Sequence, residues 1–282
     1  MWFTSDNASG AAPEVMAAVV AANDGYTRGY GAEQLMDRVR SEIRSAFAAP
    51  EAAVYLVPTG TVANSLSLAV LCPPWGGVFC HTHSHIVEDE CGAPEFYMNG
   101  GRLVQVDGAH GKMEPAALAG AIEKAKGSGV HGIQPGAVSI TNVTEAGTVH
   151  SVAEVAALSA IARAHGLPVH MDGARFANAL VATGASPAEM TWQAGVDVLS
   201  FGGTKNGCMG VEAVVIFDPA RAWEFELRRK RGGHLQSKHR FLSAQMVGYL
   251  EDGLWLRRAA HANTMAARMA RGLAQMPGVT PR

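Results

Sequence analysis

Lys205 lies in a glycine-rich loop, Gly-Gly-Thr-Lys-Asn-Gly, directly after a predicted strand at residues 196–201. A lysine amine becomes a nucleophile when a partly buried setting lowers its pKa, and it then forms Schiff bases with aldehydes. The G-x-x-x-x-G-K-[ST] spacing of a nucleotide-binding P-loop is absent from this segment. The pattern therefore favours a lysine that bonds covalently to a carbonyl compound, with a solvated surface lysine as the alternative.

Asp172 and Arg175 follow a second predicted strand, residues 168–171. Ligands of open α/β sheets bind at the carboxyl ends of the strands, where these two side chains are expected. A carboxylate there can keep a pyridine-type nitrogen protonated, and an arginine fork can bind a carboxylate. A structural Asp–Arg ion pair is the alternative, which loses weight because Lys205 is expected at a neighbouring strand end.

The turn Thr59-Gly60-Thr61 joins a predicted strand at 53–57 to a predicted helix at 62–71. Free backbone N–H groups and the helix dipole favour an anion at such a turn, and the hydroxyl groups add donors. The turn therefore indicates a phosphate site. Many strand–helix turns bind nothing, so the turn alone does not establish one.

Three histidines alternate along the chain, at His81, His83 and His85. They would share one face if this segment were an extended strand. Adjacent strand positions seldom bring three imidazoles to one ion without other ligands, so we expect no metal site. The favoured interpretation is that one histidine stacks on a cofactor ring while the others are solvated.

The composition excludes several classes of function. The chain has 282 residues, with 23 basic and 25 acidic ones, which gives a net charge of −2. Basic residues cluster at 228–231 and 238–240, but a nearly neutral chain without interleaved aromatic residues is not typical of nucleic-acid binding. No apolar stretch is long enough for a transmembrane helix, and no signal peptide is evident. We expect a cytoplasmic protein without membrane or nucleic-acid partners.

Short apolar runs alternate with helical patterns along most of the chain, which predicts βαβ units and a mainly parallel sheet. The predicted strands are 53–57, 78–80, 103–106, 137–141, 168–171, 196–201 and 212–217, and the predicted helices include 62–71, 115–126 and 151–164. Residues 241–275 read as almost continuously helical. We therefore expect a large cofactor-binding domain at 1–240 and, at 241–282, the start of a second, smaller domain that is incomplete.

Several motifs together resemble the threonine aldolases of the β-eliminating lyase group. They are SFGGTKNG, HMDGARFANAL, PTGTVAN and RRKRGGHLQSKHRFLSAQ, and they occur in the family's order. The resemblance implies a pyridoxal 5′-phosphate (PLP) enzyme with the α/β fold of aspartate aminotransferase, called fold type I. Its large domain has a mainly parallel sheet, and its small C-terminal domain would be truncated here.

The resemblance also assigns roles to individual residues. Lys205 matches the Schiff-base lysine, Asp172 the partner of the pyridine nitrogen, and Arg175 a residue that binds the cofactor and the substrate carboxylate. The remaining matches are Thr59, Gly60 and Thr61 for the phosphate, His85 for ring stacking and catalysis, His131 for a second active-site histidine, Ser5 for the substrate carboxylate, and Arg240 for the phosphate across a dimer.

The implied reaction is the retro-aldol cleavage of L-threonine or L-allo-threonine to glycine and acetaldehyde, with His85, His131 or a water as the base. Cleavage of another β-substituted amino acid, such as phenylserine, or a β-elimination is the first alternative. A non-catalytic protein that keeps only the fold is the second. The resemblance implies a homodimer or homotetramer with the active site at a subunit interface.

Overall fold

The computed structural model describes residues 5–279, and no helix within that range is long and apolar enough to cross a membrane. The strands are β1 (Ala53–Val57), β2 (Gly76–His81), β3 (Arg102–Val106), β4 (Gln134–Thr141), β5 (Val169–Gly173), β6 (Val198–Gly202) and β7 (Glu212–Ile216). The helices are α1 (Pro13–Ala21), α2 (Gln34–Ala46), α3 (Gly60–Leu71), α4 (His85–Glu88), α5 (Ala93–Tyr97), α6 (Pro115–Gly127), α7 (Val152–Ala164), α8 (Phe176–Thr183), α9 (Pro187–Met190), α10 (Ala222–Arg231), α11 (Arg240–Leu250) and α12 (Leu254–Leu273).

The seven strands form one sheet in the order β1-β7-β6-β5-β4-β2-β3. β7 is antiparallel to both of its neighbours, β1 and β6, whereas the pairs from β6 to β3 are all parallel. The other six strands therefore direct their carboxyl ends to the same edge. This arrangement confirms the predicted mainly parallel sheet.

Apolar side chains cover both faces of the sheet. Along β1, Val54 and Leu56 belong to one hydrophobic cluster, whereas Tyr55 and Val57 belong to another. Successive side chains of a strand point to opposite faces, so the two clusters lie on opposite sides of the sheet. The first cluster includes residues of α2, α7, α8 and α11, and the second includes residues of α3 and α10. A sheet covered by helices on both sides is typical of α/β enzymes.

Capping explains why α7 begins where the sequence predicts. The Ser151 hydroxyl accepts a hydrogen bond from the Glu154 N–H at 3.2 Å, and the Glu154 carboxylate accepts one from the Ser151 N–H at 2.7 Å. This is the capping box predicted from the Ser-x-x-Glu spacing. Such a cap contributes about 1 kcal/mol to helix stability.

The prediction that residues 241–275 are almost continuously helical is confirmed as far as Leu273, with one break. The chain turns between α11 and α12 at Glu251–Gly253, where φ is 50° at Asp252 and 67° at Gly253. Left-handed residues cannot continue a right-handed helix, and glycine adopts that conformation at no steric cost. Leu242 and Met246 of α11 belong to the first hydrophobic cluster, so this helix shares the core of the sheet. A domain boundary at 240/241 stays a prediction.

Candidate active site

The carboxyl edge of the sheet opens into a pocket of about 370 Å³. This volume falls within the range of roughly 300–1,000 Å³ that small-molecule sites occupy. Turns that follow β1, β4, β5 and β6 form much of its wall, because the fold brings these strand ends together. The predicted site residues that line it are Thr59, Gly60, Thr61, His85, Asp172, Arg175 and Lys205.

One end of the pocket is the start of α3. Thr59 caps this helix, since its hydroxyl accepts a hydrogen bond from the Val62 N–H at 3.2 Å. The backbone N–H groups of Gly60 and Thr61 have no protein acceptor among residues 5–279. Free N–H groups at a helix start, together with the helix dipole, attract an anion. This end of the pocket therefore has the donors that a phosphate group requires.

Lys205 lies in a short turn, Thr204–Asn206, between β6 and β7. The Asn206 amide donates hydrogen bonds to the Tyr249 hydroxyl and to the Trp255 carbonyl, each at 2.8 Å. These bonds anchor the backbone next to Lys205, whose side chain lines the pocket. The anchored turn limits the positions that the amine can reach.

Asp172 lies on β5 and is only 3% exposed. Its Oδ1 accepts a hydrogen bond from the Ala174 N–H at 3.0 Å, and its Oδ2 accepts one from the Asn64 side chain at 2.9 Å. The two donors fix the orientation of the carboxylate at the pocket wall.

A buried histidine ties together the strands around Asp172. His170 makes hydrogen bonds of 2.9 Å with Ser139 of β4 and with Ser200 of β6. Burial disfavours the charged imidazolium and lowers the pKa of His170 to about 4. The ring is therefore neutral at physiological pH and places no positive charge next to Asp172.

Arg175 forms an ion pair with the N-terminal segment. Its Nε and Nη2 donate to the two carboxylate oxygens of Asp6 at 2.7 and 3.2 Å. Both hydrogens of Nη1 and the second hydrogen of Nη2 are therefore left for a ligand carboxylate. Ser5 is exposed and its hydroxyl accepts a hydrogen bond from the Asn7 N–H at 3.2 Å, while Asn7 rather than Ser5 lines the pocket.

The three alternating histidines do not share one face. β2 ends at His81, and α4 begins at His85, so the segment is not extended. His81 is buried against the Gly108 carbonyl at 3.0 Å, and His83 is exposed and paired with Glu88. Only His85 of the three lines the pocket. A turn after the strand separates the three rings, and the alternating sequence pattern does not indicate this turn.

His131 lies at the other edge of the sheet, so within its own chain it is not part of this pocket. It is exposed and precedes the amino end of β4, whereas the pocket lies beyond the carboxyl end of that strand. The eight residues of β4 separate the two positions by about 26 Å at roughly 3.3 Å per residue. The role of His131 as a second active-site histidine, which the resemblance implies, stays a prediction.

Arg240 also lies outside the pocket of its own chain. Its guanidinium donates hydrogen bonds to the carbonyls of Asp24 at 3.3 Å and Gly25 at 3.1 Å. A role at the phosphate of a neighbouring subunit stays a prediction.

The structure adds polar residues that the sequence reasoning did not single out. Asn64 and Glu212 both line the pocket and are buried. Glu212 accepts a hydrogen bond from the Gly203 N–H at 2.8 Å, and burial raises its pKa to about 7. The sequence could have pointed to Glu212, because it is an acidic residue at the start of an otherwise apolar predicted strand. The sequence does not single out Asn64, since one amide side chain in the first turns of a helix is common.

Comparisons with known proteins agree with this geometry. A low specificity L-threonine aldolase of Pseudomonas sp. (strain NCIMB 10558) is 46% identical over 277 residues, which cover 98% of this chain and 79% of that protein. The structure of Leishmania major threonine aldolase is similar with a TM-score of 0.91 and 29% identity, covering 96% of this chain and 78% of that one. Aspartate aminotransferase from Thermus thermophilus has a TM-score of 0.72 at 14% identity over 94% of this chain and 68% of that one, which shows the fold alone.

The family model for this group covers nearly the whole chain. It is described as Beta-eliminating lyase and matches residues 3–282. The match includes every element that lines the pocket, from the N-terminal segment at Asn7 to β7 at Glu212. With the pocket formed by residues that the motifs predict, the chain belongs to the β-eliminating lyase family.

Proposed function

We propose that this chain is a PLP-dependent aldolase that cleaves L-threonine and L-allo-threonine to glycine and acetaldehyde. The observation that carries the proposal is the convergence of a lysine amine, a fixed carboxylate and a free helix N-terminus in one pocket. Relatives named low specificity L-threonine aldolase, at 45–46% identity, support the choice of substrate.

The described residues fit PLP. The free N–H groups of Gly60 and Thr61 suit a phosphate, and a side-chain carbon added at Gly60 would meet open space rather than a neighbouring atom. Asp172 supplies a carboxylate whose two oxygens are already oriented by hydrogen bonds. Lys205 supplies the amine that would bond to the cofactor's aldehyde. The pocket therefore has a partner for the phosphate, the ring nitrogen and the aldehyde of this cofactor.

PLP in this pocket supplies an electron sink for the pair released when the Cα–Cβ bond breaks. Asp172 keeps the ring nitrogen protonated, which makes that sink effective. Arg175 binds the substrate carboxylate through Nη1 and orients the amino acid. His85 accepts the proton of the β-hydroxyl group at Nε2, because its Nδ1 is already bonded to Glu90 at 2.8 Å.

We expect His85→Phe to retain PLP and to lose most of the aldol cleavage. A phenyl ring can stack on the cofactor but cannot accept a proton, and loss of a general base typically costs about 10²–10⁴-fold in rate. The measurement is kcat for L-threonine beside the visible absorbance of the bound cofactor.

His81→Phe and His83→Phe are the matched controls, and both should change kcat little because neither ring lines the pocket. Equal losses in all three variants, together with inactivation of the wild type by a chelator, would support a metal site instead. If His85→Phe kept the wild-type kcat, the general base would have to be a bound water or another residue.

The products of a substrate panel test the proposed reaction. We expect acetaldehyde and glycine in equal amounts from L-threonine and L-allo-threonine, and none from D-threonine. Benzaldehyde from phenylserine alone would narrow the substrate to aromatic β-hydroxy amino acids. Ammonia and a 2-oxo acid would identify a β-elimination, and no product with PLP bound would favour the non-catalytic alternative.

The assembly and location belong to the same proposal. We propose a cytoplasmic homodimer or homotetramer, in which Arg240 reaches the phosphate of the neighbouring subunit. Light scattering of the purified protein tests the assembly. An Arg240→Ala variant that assembles normally and binds PLP as tightly as the wild type would contradict the role of Arg240.

A further inference from the structure

Two histidine–glutamate pairs with the same sequence spacing lie next to each other. His83 pairs with Glu88 through Nδ1 at 2.6 Å, and His85 pairs with Glu90 through Nδ1 at 2.8 Å. The first pair is exposed, with 66% of the His83 side chain and 46% of the Glu88 side chain accessible. In the second pair, the Glu90 side chain is fully buried and the His85 ring lines the pocket. Only the second pair is therefore built into the wall of the site.

Glu90 determines which nitrogen of His85 carries the proton. A carboxylate accepts hydrogen bonds, so the Nδ1 atom that contacts it must hold a hydrogen. The neutral ring then has an unprotonated Nε2, which is the state a general base requires. The carboxylate raises the pKa of His85, whereas burial raises the pKa of Glu90 itself.

Asn64 extends this contact to the cofactor carboxylate. Its Nδ2 donates to Glu90 Oε1 and to Asp172 Oδ2, both at 2.9 Å. One amide group thus uses both of its hydrogens to bridge two buried carboxylates. His85, Glu90, Asn64 and Asp172 form a continuous hydrogen-bonded chain from the proposed base to the proposed partner of the ring nitrogen.

We propose that Glu90 is a positioning residue, which fixes the orientation and the tautomer of His85 and, through Asn64, couples it to Asp172. The proposal rests on the proposed function insofar as His85 is the base. The contacts themselves do not depend on the substrate.

Two substitutions separate the charge of Glu90 from its shape. Glu90→Gln keeps an oxygen that can accept from His85 and Asn64 but removes the charge. Glu90→Leu removes the accepting oxygen as well as the charge, and it preserves most of the side-chain volume. We expect Glu90→Leu to lower kcat about 10- to 100-fold, less than the roughly 10²–10⁴-fold cost of losing a base entirely, with little change in KM. Glu90→Gln should restore part of that loss.

The pH profile gives a readout that a structural role would not move. The base must be neutral, so activity rises with pH through the pKa of His85. Glu90→Gln removes the group that raises this pKa, and the acidic limb of the kcat/KM profile should move to lower pH. The other charged groups that face His85 are Asp172, Lys205 and Glu145, and all are unchanged in the variant.

The matched control is Glu88→Gln in the exposed pair, which should leave kcat and the acidic limb unchanged. Nitrogen-15 NMR of histidine-labelled, PLP-loaded protein supplies a test that is independent of turnover, with the His85 signals assigned from His85→Phe. We expect a protonated Nδ1 and an unprotonated Nε2 in the wild type, and a mixture of tautomers in Glu90→Leu.

The outcomes divide clearly. An unchanged tautomer in a folded Glu90→Leu variant, or an acidic limb that does not move in Glu90→Gln, would overturn the role of Glu90. A wild type that shows the expected tautomer but cleaves no threonine would contradict the proposed function and leave the role of Glu90 in orienting His85 intact.

Discussion

Replacement of Lys205 by alanine is expected to abolish lyase activity and the visible absorbance of covalently held cofactor. Lys205 is the lysine that lines the pocket, and its turn is anchored by Asn206. Without its amine, none of the described residues that line the pocket offers an amine to the aldehyde of PLP. The measurement is acetaldehyde release together with the absorbance of the PLP-loaded variant.

Lys112→Ala is the matched control for this prediction. Lys112 forms an ion pair with Glu154 at 2.7 Å and lies outside the pocket, so its loss should leave activity unchanged. Retention of a reducible cofactor adduct in Lys205→Ala would require a different lysine as the bonding partner.

Asp172→Asn should retain PLP and lower turnover by several orders of magnitude. An amide cannot keep the ring nitrogen protonated, so the electron sink is lost. The new amide nitrogen would also face one of two groups that donate to Asp172, the Ala174 N–H at 3.0 Å or the Asn64 amide at 2.9 Å. Steady-state kcat for L-threonine and the absorbance of bound PLP are the measurements.

Asp197→Asn controls for the loss of a partly buried carboxylate as such. Asp197 precedes β6 at the other edge of the sheet and accepts a hydrogen bond from the Val169 N–H at 2.7 Å. The Asp197→Asn variant should lower the free energy of unfolding more than it lowers kcat. An Asp172→Asn variant that keeps more than about a tenth of the wild-type kcat, a loss under roughly 1.4 kcal/mol in activation free energy, would reassign Asp172 to a structural role.

The sequence predicts the fold well because each buried strand is a short apolar run with a turn or helix signal beside it. The strand at 53–57 coincides with β1, and the Ser151 capping box begins α7. Residues that directly follow such strands, Asp172 and Lys205, were expected at one sheet edge and both line the pocket. Local pattern and chain direction suffice for these positions.

Positions that depend on a turn or on the far end of a strand were harder to predict. The alternating spacing of His81 and His85 is compatible with an extended strand, but in the structure a turn after β2 separates the two residues. His131 is adjacent to β4 in sequence, but the length of the strand carries it away from the site. Asn64 acquires its role from Glu90 and Asp172, which contact it only after folding.

Mass spectrometry of the PLP-loaded protein after borohydride reduction tests the central claim most directly. Reduction makes the bond between the lysine and PLP permanent, and proteolysis then locates the modified residue. The account predicts one phosphopyridoxyl group per chain, on Lys205 in the peptide from the loop between β6 and β7. A modification on any other lysine, or an unmodified Lys205 in protein that cleaves L-threonine, would contradict it.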